Sequence, residues 1–328
     1  MEKFKALLTQ ISPQNEVINS IEYLPMNFLK EDGVLIKVHY SSLNYKDALS
    51  YSGHKGVTRN YPHIPGIDAI GEIVEDPANQ FKPGSLVLVT GFDMGMNTHG
   101  GISEYISVPS NWIIEASKFN SLRYQMELGT AGLTAGMAVF QLLKNDISKD
   151  KPVLVSGASG GLGLISILIL KKLGFSVIAL TRKTDFPIFK TLSVDEVLDV
   201  NDFLMDTSRA LYPMEFSGAI DTVGGDILVK IIKSVQMGGS VAVCGMANST
   251  KMDLEVFPFI LRGIKVLGIN SADSPLEYKK SIWDLLNNDW KVDLNPIIQE
   301  IKMEEVPIHL NKMLDGTSFG RKIVRIIP

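Results

Sequence analysis

Between Val153 and Lys183 the chain spells out one complete βαβ unit, and few folds can accommodate it. Val153-Leu154-Val155 is a short apolar run of the kind buried on both faces of a parallel sheet. A glycine-rich turn follows, Ser156-Gly157-Ala158-Ser159-Gly160-Gly161-Leu162-Gly163. Leu164 to Leu173 is then apolar almost throughout, as a helix laid on a sheet is, and it stops at Gly174. A second apolar run, Phe175 to Leu180, supplies the next strand. The whole spans about 30 residues, the size of a dinucleotide-binding half.

Glycine is needed in such a turn for three reasons. The chain bends sharply, its backbone approaches a pyrophosphate, and the helix lies close against the strand. The free N–H groups at the helix start then face the phosphates, where the helix dipole favours negative charge. The spacing here is Gly157-x-x-Gly160-x-x-Gly163, and it gains its force from sitting between a strand and a helix. The candidate phosphate contacts are Ser159, Gly160, Gly161 and Leu162.

The end of the second strand bears on which dinucleotide is bound. An NAD site puts an acid about 20 residues after the glycines, to accept from the ribose 2′-OH. Here Thr181-Arg182-Lys183 stands at that place, and the first acid, Asp185, comes after it. Two cations and a hydroxyl suit a 2′-phosphate and predict NADP(H). A solvated charged loop is the competing reading of the same residues.

At 328 residues the chain exceeds one ordinary domain, and 45% hydrophobic residues suffice for two cores. A net charge of −4 gives no electrostatic footprint for nucleic acid or an anionic membrane. No signal-peptide pattern opens the sequence, and its apolar runs look too short or too interrupted to span a bilayer. One cysteine, Cys244, permits no intrachain disulfide and fits a cytoplasmic protein. It also rules out cysteine-rich zinc sites, and the five histidines show no ligand spacing, so no metal is expected.

Short strand patterns fill the N-terminal part: Phe4 to Leu8, Val34 to Tyr40, a strand carrying Gly71, Ser85 to Thr90, and one opening near Gly100. Their spacing predicts a compact, barrel-like β domain ending near Ala116. Leu122 to Leu143 has helical spacing interrupted at Gly129-Thr130-Ala131-Gly132. Beyond the central unit, strand patterns at Leu192–Asp199, Gly218–Asp221, Gly239–Gly245 and Lys265–Ser271 alternate with helical ones. That alternation predicts a doubly wound parallel α/β sheet of the Rossmann type. Ligands bind such sheets beyond the strand C-termini, which adds Thr222, Met246 and Ser271 to the candidate lining. The tail, Gly320 to Ile326, reads as a strand returning to the first domain.

Together these stretches resemble the medium-chain dehydrogenase/reductase superfamily along essentially the whole chain. The nearest resemblance is to its zinc-free acrylyl-CoA reductase and YhdH–YhfP-type quinone oxidoreductase group. The carrying segments are SSLNYKDAL (41–49), YPHIPGIDAIGEIV (61–74), GGISEYISVPSNWII (100–114) and GTAGLTA (129–135). To these add SGASGGLG (156–163), GAIDTVGG (218–225), GGSVAVCG (238–245), FPFILRGIKVLGINS (257–271) and FGRKIV (319–324).

The resemblance implies a GroES-like catalytic domain, residues 1–118 and 295–328, and a Rossmann NADP-binding domain, residues 119–294. Zinc-dependent relatives carry a Cys within the stretch where this chain has Ser42 to Asp47, and a His where it has Ile67. The resemblance further implies cofactor contacts at Tyr45, Met246, Ile260 and Ser271, beside the turn and the Thr181–Lys183 loop; Thr134, in the GTAGLTA segment, is a further candidate. A basic residue frequent in relatives is replaced by Val200, which throws the 2′-phosphate onto Arg182.

The expected chemistry is NADPH-dependent reduction of an activated C=C bond. The expected substrate is a short 2-enoyl-CoA, such as acrylyl-CoA going to propanoyl-CoA. Asn44, Tyr45 and Asp47 are the candidate catalytic residues: Tyr45 a cofactor ligand and hydrogen-bond donor, Asp47 an orienting group that pairs Lys46 or caps a turn. A quinone reductase and a non-catalytic NADPH-binding protein are the alternatives. The expected partners are the small-molecule substrate and a second copy of the chain, with no nucleic acid and no membrane.

Overall fold

The computed structural model describes residues 3–29 and 32–327. The chain forms two compact units. The first takes in residues up to Thr130, then Ala272–Lys280, then Ile298 onward; the second is Ala131–Ser271 with Ser281–Ile297. The sequence reading put these boundaries at 118/119 and 294/295. The structure leaves the first half of a long helix, and nine residues around 276, with the first unit.

The first unit opens with β1 (Lys3–Ile11) and β2 (Val17–Pro25), paired as an antiparallel hairpin. β3 (Val34–Ser42), β4 (Asp68–Glu75), β5 (Leu86–Thr90), β6 (Tyr105–Val108) and β7 (Ile114–Glu115) follow, with the short helix α1 (Tyr45–Tyr51) after β3. The later chain adds β14 (Ile298–Lys302), helix α9 (Val306–Leu314) and β15 (Arg321–Arg325). The resulting seven-stranded sheet runs β14-β15-β3-β4-β5-β7, with β6 also paired to β3. The C-terminal strand therefore lies beside β3, Ile323 opposite Ser42. That pairing brings Arg321 to the end of β3, where α1 begins. Alternation buries one face of the strands: Val34, Ile36 and Val38 of β3 pack with Ala69, Ile73, Val87 and Ile106. A second cluster joins Leu43 and Ala48, at the start of α1, to Val306 and Leu310 of α9.

The second unit carries a six-stranded sheet, β8 (Val153–Ser156), β9 (Val177–Thr181), β10 (Glu196–Asp199), β11 (Phe216–Asp221), β12 (Val235–Val243) and β13 (Lys265–Gly268). Its order is β10-β9-β8-β11-β12-β13, and every neighbouring pair is parallel. The strand order reverses between β8 and β11, the switch point at which such sheets bind ligands. Helix α2 (Leu122–Lys144) crosses from one unit to the other, and α3 (Gly161–Lys172), α4 (Ile188–Thr191), α5 (Val200–Leu204), α6 (Gly225–Ser234) and α7 (Phe257–Arg262) connect the strands. Helix α8 (Leu276–Asn287) completes the set. Leu154, Leu180, Ala219 and Val241 of the sheet pack on Ile227, Ile231 and Ile232 of α6 to form the core. Val200 is spent in that core rather than on a ligand.

Two elements differ from expectation. The sequence reading expects no apolar run able to span a bilayer, yet α2 is long and apolar enough to do so by length and composition. It is broken at Gly129, whose φ of 50° and ψ of −151° are not helical, and Leu133, Met137 and Leu142 are fully buried core residues. The last parallel strand stops at Gly268, leaving Asn270 and Ser271 just beyond its C-terminal end.

Candidate functional site

In the second unit the glycine turn joins the end of β8 to α3. Gly157 has φ of 59°, and a Cβ on it would fall 2.1 Å from Thr222 Oγ1. A Cβ on Gly163 would fall 2.6 Å from the Gly157 carbonyl oxygen. The fold itself demands both glycines. Gly160 is different: its φ is −83°, and a Cβ there would meet only the Gly157 oxygen, at 3.4 Å. Among the described residues no close contact requires glycine at that place, and the backbone there is left bare. Gly160 is also the N-cap of α3, and no side chain caps the helix. The first-turn N–H groups of Gly161, Leu162 and Gly163 therefore form an open anion cradle. A dinucleotide pyrophosphate fits this donor set.

The end of β9 is tied to the same turn. The Thr181 hydroxyl donates to Ser159 Oγ at 3.3 Å and accepts the Lys183 backbone N–H at 3.1 Å. Arg182 is exposed, and Lys183 is partly buried near Phe186. Burial, and then Arg182 next to it, hold the Lys183 ammonium below the usual lysine range. Two cations that raise each other's energy make a receptive site for a dianion.

Of the five other candidate contacts, Thr222 and Met246 lie beside this turn. The Thr222 hydroxyl donates to the Ser156 carbonyl oxygen. Met246 is 69% exposed, but its Cα lies 3.5 Å from where a Gly224 Cβ would stand, beside the turn after β11. Thr134 and Ser271 face each other, their hydroxyls 2.6 Å apart and buried. Ile260 stands apart on α7, 74% exposed.

The first unit holds a buried polar network around the start of α1. Asp68 receives five donors: Ser42 Oγ at 2.7 Å, Asn44 Nδ2 at 2.7 Å, Thr130 N at 2.9 Å, Thr130 Oγ1 at 2.6 Å and Arg321 Nη2 at 3.1 Å. Both Asp68 and Arg321 are almost wholly removed from solvent. Arg321 also donates to the Asn44 side-chain oxygen at 2.9 Å and to the backbone oxygens of Leu43, Glu127 and Leu128. Asp47 is fully buried. Its Oδ2 accepts the Asn44 N–H at 2.7 Å, and its Oδ1 accepts the Ile67 N–H at 2.8 Å. Burial, with Asp68 close by, pushes the Asp47 carboxyl up to about 7.

These contacts assign different parts to the three residues predicted as catalytic. Asp47 caps the N-terminus of α1, one of its two expected parts, and forms no ion pair with Lys46 among the described residues. Both ends of the Asn44 amide are taken by protein partners, so it positions rather than reacts. Tyr45, first residue of α1, is 44% exposed, and its phenol has no hydrogen bond among the described residues. Of the three, it is the one with a donor to offer. Sequence reasoning did not single out Asp68, Thr130 or Arg321; the pattern Asn44-x-x-Asp47, a capping-box spacing, is the one local signal that could have found the helix they surround.

A zinc ion does not fit this region. The chain's only cysteine is in the other unit, Ile67 is a buried apolar side chain, and the oxygens of Asp47 and Asp68 are saturated with donors. Among the described residues no group of three or more His, Cys, Asp or Glu could hold a metal.

Residues 30–118 match the family described as alcohol dehydrogenase GroES-like domain, and residues 161–288 match zinc-binding dehydrogenase. The chain is 39% identical over 302 residues to "Putative quinone oxidoreductase YhfP" of Bacillus subtilis, covering 91% of this chain and 92% of that one. It is 32% identical over 310 residues to acrylyl-CoA reductase AcuI of Ruegeria pomeroyi, covering 94% of each. The crystal structure of Escherichia coli K-12 YhdH with bound NADPH is similar at a TM-score of 0.94 and 34% identity, covering 98% of this chain and all of that one. That of Bacillus subtilis YhfP with NAD bound is similar at a TM-score of 0.94 and 37% identity, covering 99% and 100%. The chain belongs to the medium-chain dehydrogenase/reductase superfamily of oxidoreductases, in the group that holds the YhfP- and AcuI-type proteins.

Proposed function

We propose that this oxidoreductase uses NADPH to reduce the activated C=C bond of a short 2-enoyl-CoA, acrylyl-CoA to propanoyl-CoA being the simplest case. One observation carries the reading. The region where zinc-dependent relatives hold their Lewis acid is a closed hydrogen-bond network here, and it leaves the Tyr45 phenol as an exposed donor. When bound, the dinucleotide supplies a hydride to the β-carbon of the substrate. Negative charge then develops on the thioester oxygen, where a positioned donor stabilises it, until the α-carbon takes a proton from solvent and completes the saturated product. Tyr45 is that donor, held at the first turn of α1 by the Asn44–Asp47 cap and, through Asn44, by Asp68 and Arg321. The uncapped start of α3 holds the pyrophosphate, and Arg182 with Lys183 takes the 2′-phosphate.

The test follows loss of the reduced-nicotinamide absorbance with acrylyl-CoA, crotonyl-CoA and 1,4-benzoquinone in parallel. The expected result is fastest turnover with acrylyl-CoA. Turnover with benzoquinone alone would replace this reading by a quinone reductase, which the likeness to YhfP favours. NADPH binding without turnover of any acceptor would make it a binding protein. Replacing Arg182 and Lys183 together raises the NADPH dissociation constant and leaves that for NADH nearly unchanged; equal loss for both overturns the 2′-phosphate assignment. We further propose that the protein acts as a homodimer through the free edge of β13.

A further inference from the structure

The geometry points to Asp221 as the residue that positions the dinucleotide floor, acting through Ser156, and this rests on the dinucleotide reading above. Asp221 ends β11 and is wholly buried. Ile220 pairs with Val155, so Asp221 comes level with Ser156, the last residue of β8 before the glycine turn. The Ser156 hydroxyl donates to Asp221 Oδ1 at 2.6 Å. Its hydrogen committed, it accepts the Thr222 N–H at 3.0 Å. The Thr222 hydroxyl in turn donates to the Ser156 backbone carbonyl oxygen at 3.0 Å. The second carboxylate oxygen accepts the Gly224 N–H at 2.8 Å, in the turn that leads into α6. The Asp221 backbone oxygen accepts the Cys244 N–H at 2.8 Å, at the end of β12.

Three strand-end segments thus meet on one residue: the glycine turn after β8, the Thr222–Gly225 turn after β11, and the Cys244–Met246 segment after β12. These are the C-terminal ends of neighbouring strands about the switch point, where a parallel sheet receives its ligand. The close fit leaves little freedom. A Cβ on Gly157 would strike Thr222 Oγ1, and a Cβ on Gly245 would lie 2.4 Å from the Thr222 backbone oxygen. Moving Thr222 moves both neighbours. A carboxylate suits the task because it only accepts: it fixes the Ser156 hydroxyl as donor on one side and holds the Gly224 N–H on the other. An amide at this place presents hydrogens to one of them and leaves one of these hydrogen bonds unmade.

Ser156→Ala and Asp221→Asn test this in the full-length protein. Each is expected to raise the dissociation constants for NADPH and NADH by the same factor, about tenfold, the scale of one hydrogen bond to a charged group. The cofactor KM rises in step, while kcat at saturating cofactor stays within about twofold. Equal loss for both nucleotides separates this role from that of Arg182 and Lys183, which affect NADPH alone. Wild-type dissociation constants in a folded Ser156→Ala protein overturn the assignment, whatever its melting temperature. If Asp221→Asn does not fold, Ser156→Ala decides alone. Failure of the unaltered protein to bind either nucleotide overturns the dinucleotide reading and this inference with it.

Discussion

A methyl group at position 129 would lie 2.3 Å from Arg321 Nη2, 2.6 Å from Asp68 Oδ2 and 2.6 Å from Ser42 Oγ. The helix breaks there so that the backbone can pass beside the buried Asp68–Arg321 pair, which is costly to disturb because each charge is desolvated. Gly129→Ala therefore adds both a left-handed φ penalty and an overlap with fixed polar atoms, together about 2–5 kcal/mol. Urea unfolding checks this, and a wild-type midpoint contradicts it. Asp47 makes the pH prediction. Its carboxyl rises from 3.8 in the solvent-exposed, unfolded chain to about 7 in the fold. Between those values the folded state binds a proton that the unfolded chain has released. Stability therefore falls as pH rises from about 4 to 7, by up to about 1.4 kcal/mol per pH unit. Asp68 and Arg321 face the same carboxyl, so the slope belongs to Asp47 only if Asp47→Asn removes it. Urea midpoints at pH 5 and pH 7 in the two proteins decide the matter.

At the scale of elements, the central βαβ unit is legible because its apolar runs and glycines obey one local pattern. The strands β8 and β9 and the helix α3 lie within a few residues of where periodicity puts them. The site in the first unit is not local. Asp68 and Arg321 meet across 253 positions, and no window of sequence contains both. Asn44-x-x-Asp47 announces a cap, but the sequence does not say that the Asn44 amide is already spent on Arg321. The same holds for the nine-residue visit of Ala272–Lys280 to the first unit. Helix α8 begins with ordinary amphipathic sequence, yet Lys279 is buried. Its ammonium donates to the Thr90 and Ala272 oxygens at 2.8 and 2.7 Å and lies 3.3 Å from the Phe92 ring centroid. A buried lysine reads in sequence like any surface lysine. Lys279→Met removes two charge-assisted hydrogen bonds to backbone oxygens, of which the Ala272 oxygen keeps the Phe92 N–H, and takes a cation from an aromatic face, so it should cost about 2 kcal/mol. A melting temperature equal to that of the unaltered protein would show that this pin contributes nothing.

On the scale of the whole molecule, the parallel sheet poses a problem that one chain does not solve. β13 pairs with β12 on one side, and its other edge has no partner strand among the described residues. Val266 in that strand is exposed, and α7 beside it in sequence exposes Phe257, Phe259, Ile260 and Leu261. A bare strand edge with apolar neighbours invites pairing with another strand. The occupant we propose is a second copy of the chain: two β13 edges related by a two-fold axis would run antiparallel, each supplying what the other lacks. Ile260, 74% exposed on α7, lies on this proposed surface. Sedimentation at micromolar concentration should give twice the chain mass. The double variant Leu261→Asp, Val266→Lys places charges on both parts of the surface and should sediment at the mass of one chain while still binding NADPH. Since the glycine turn, Arg182 and Asp221 are all supplied by a single chain, its NADPH affinity should stay within about threefold of the dimer's, a difference under 1 kcal/mol. A monomeric unaltered protein, or a double variant that remains dimeric, would remove β13 as the pairing edge.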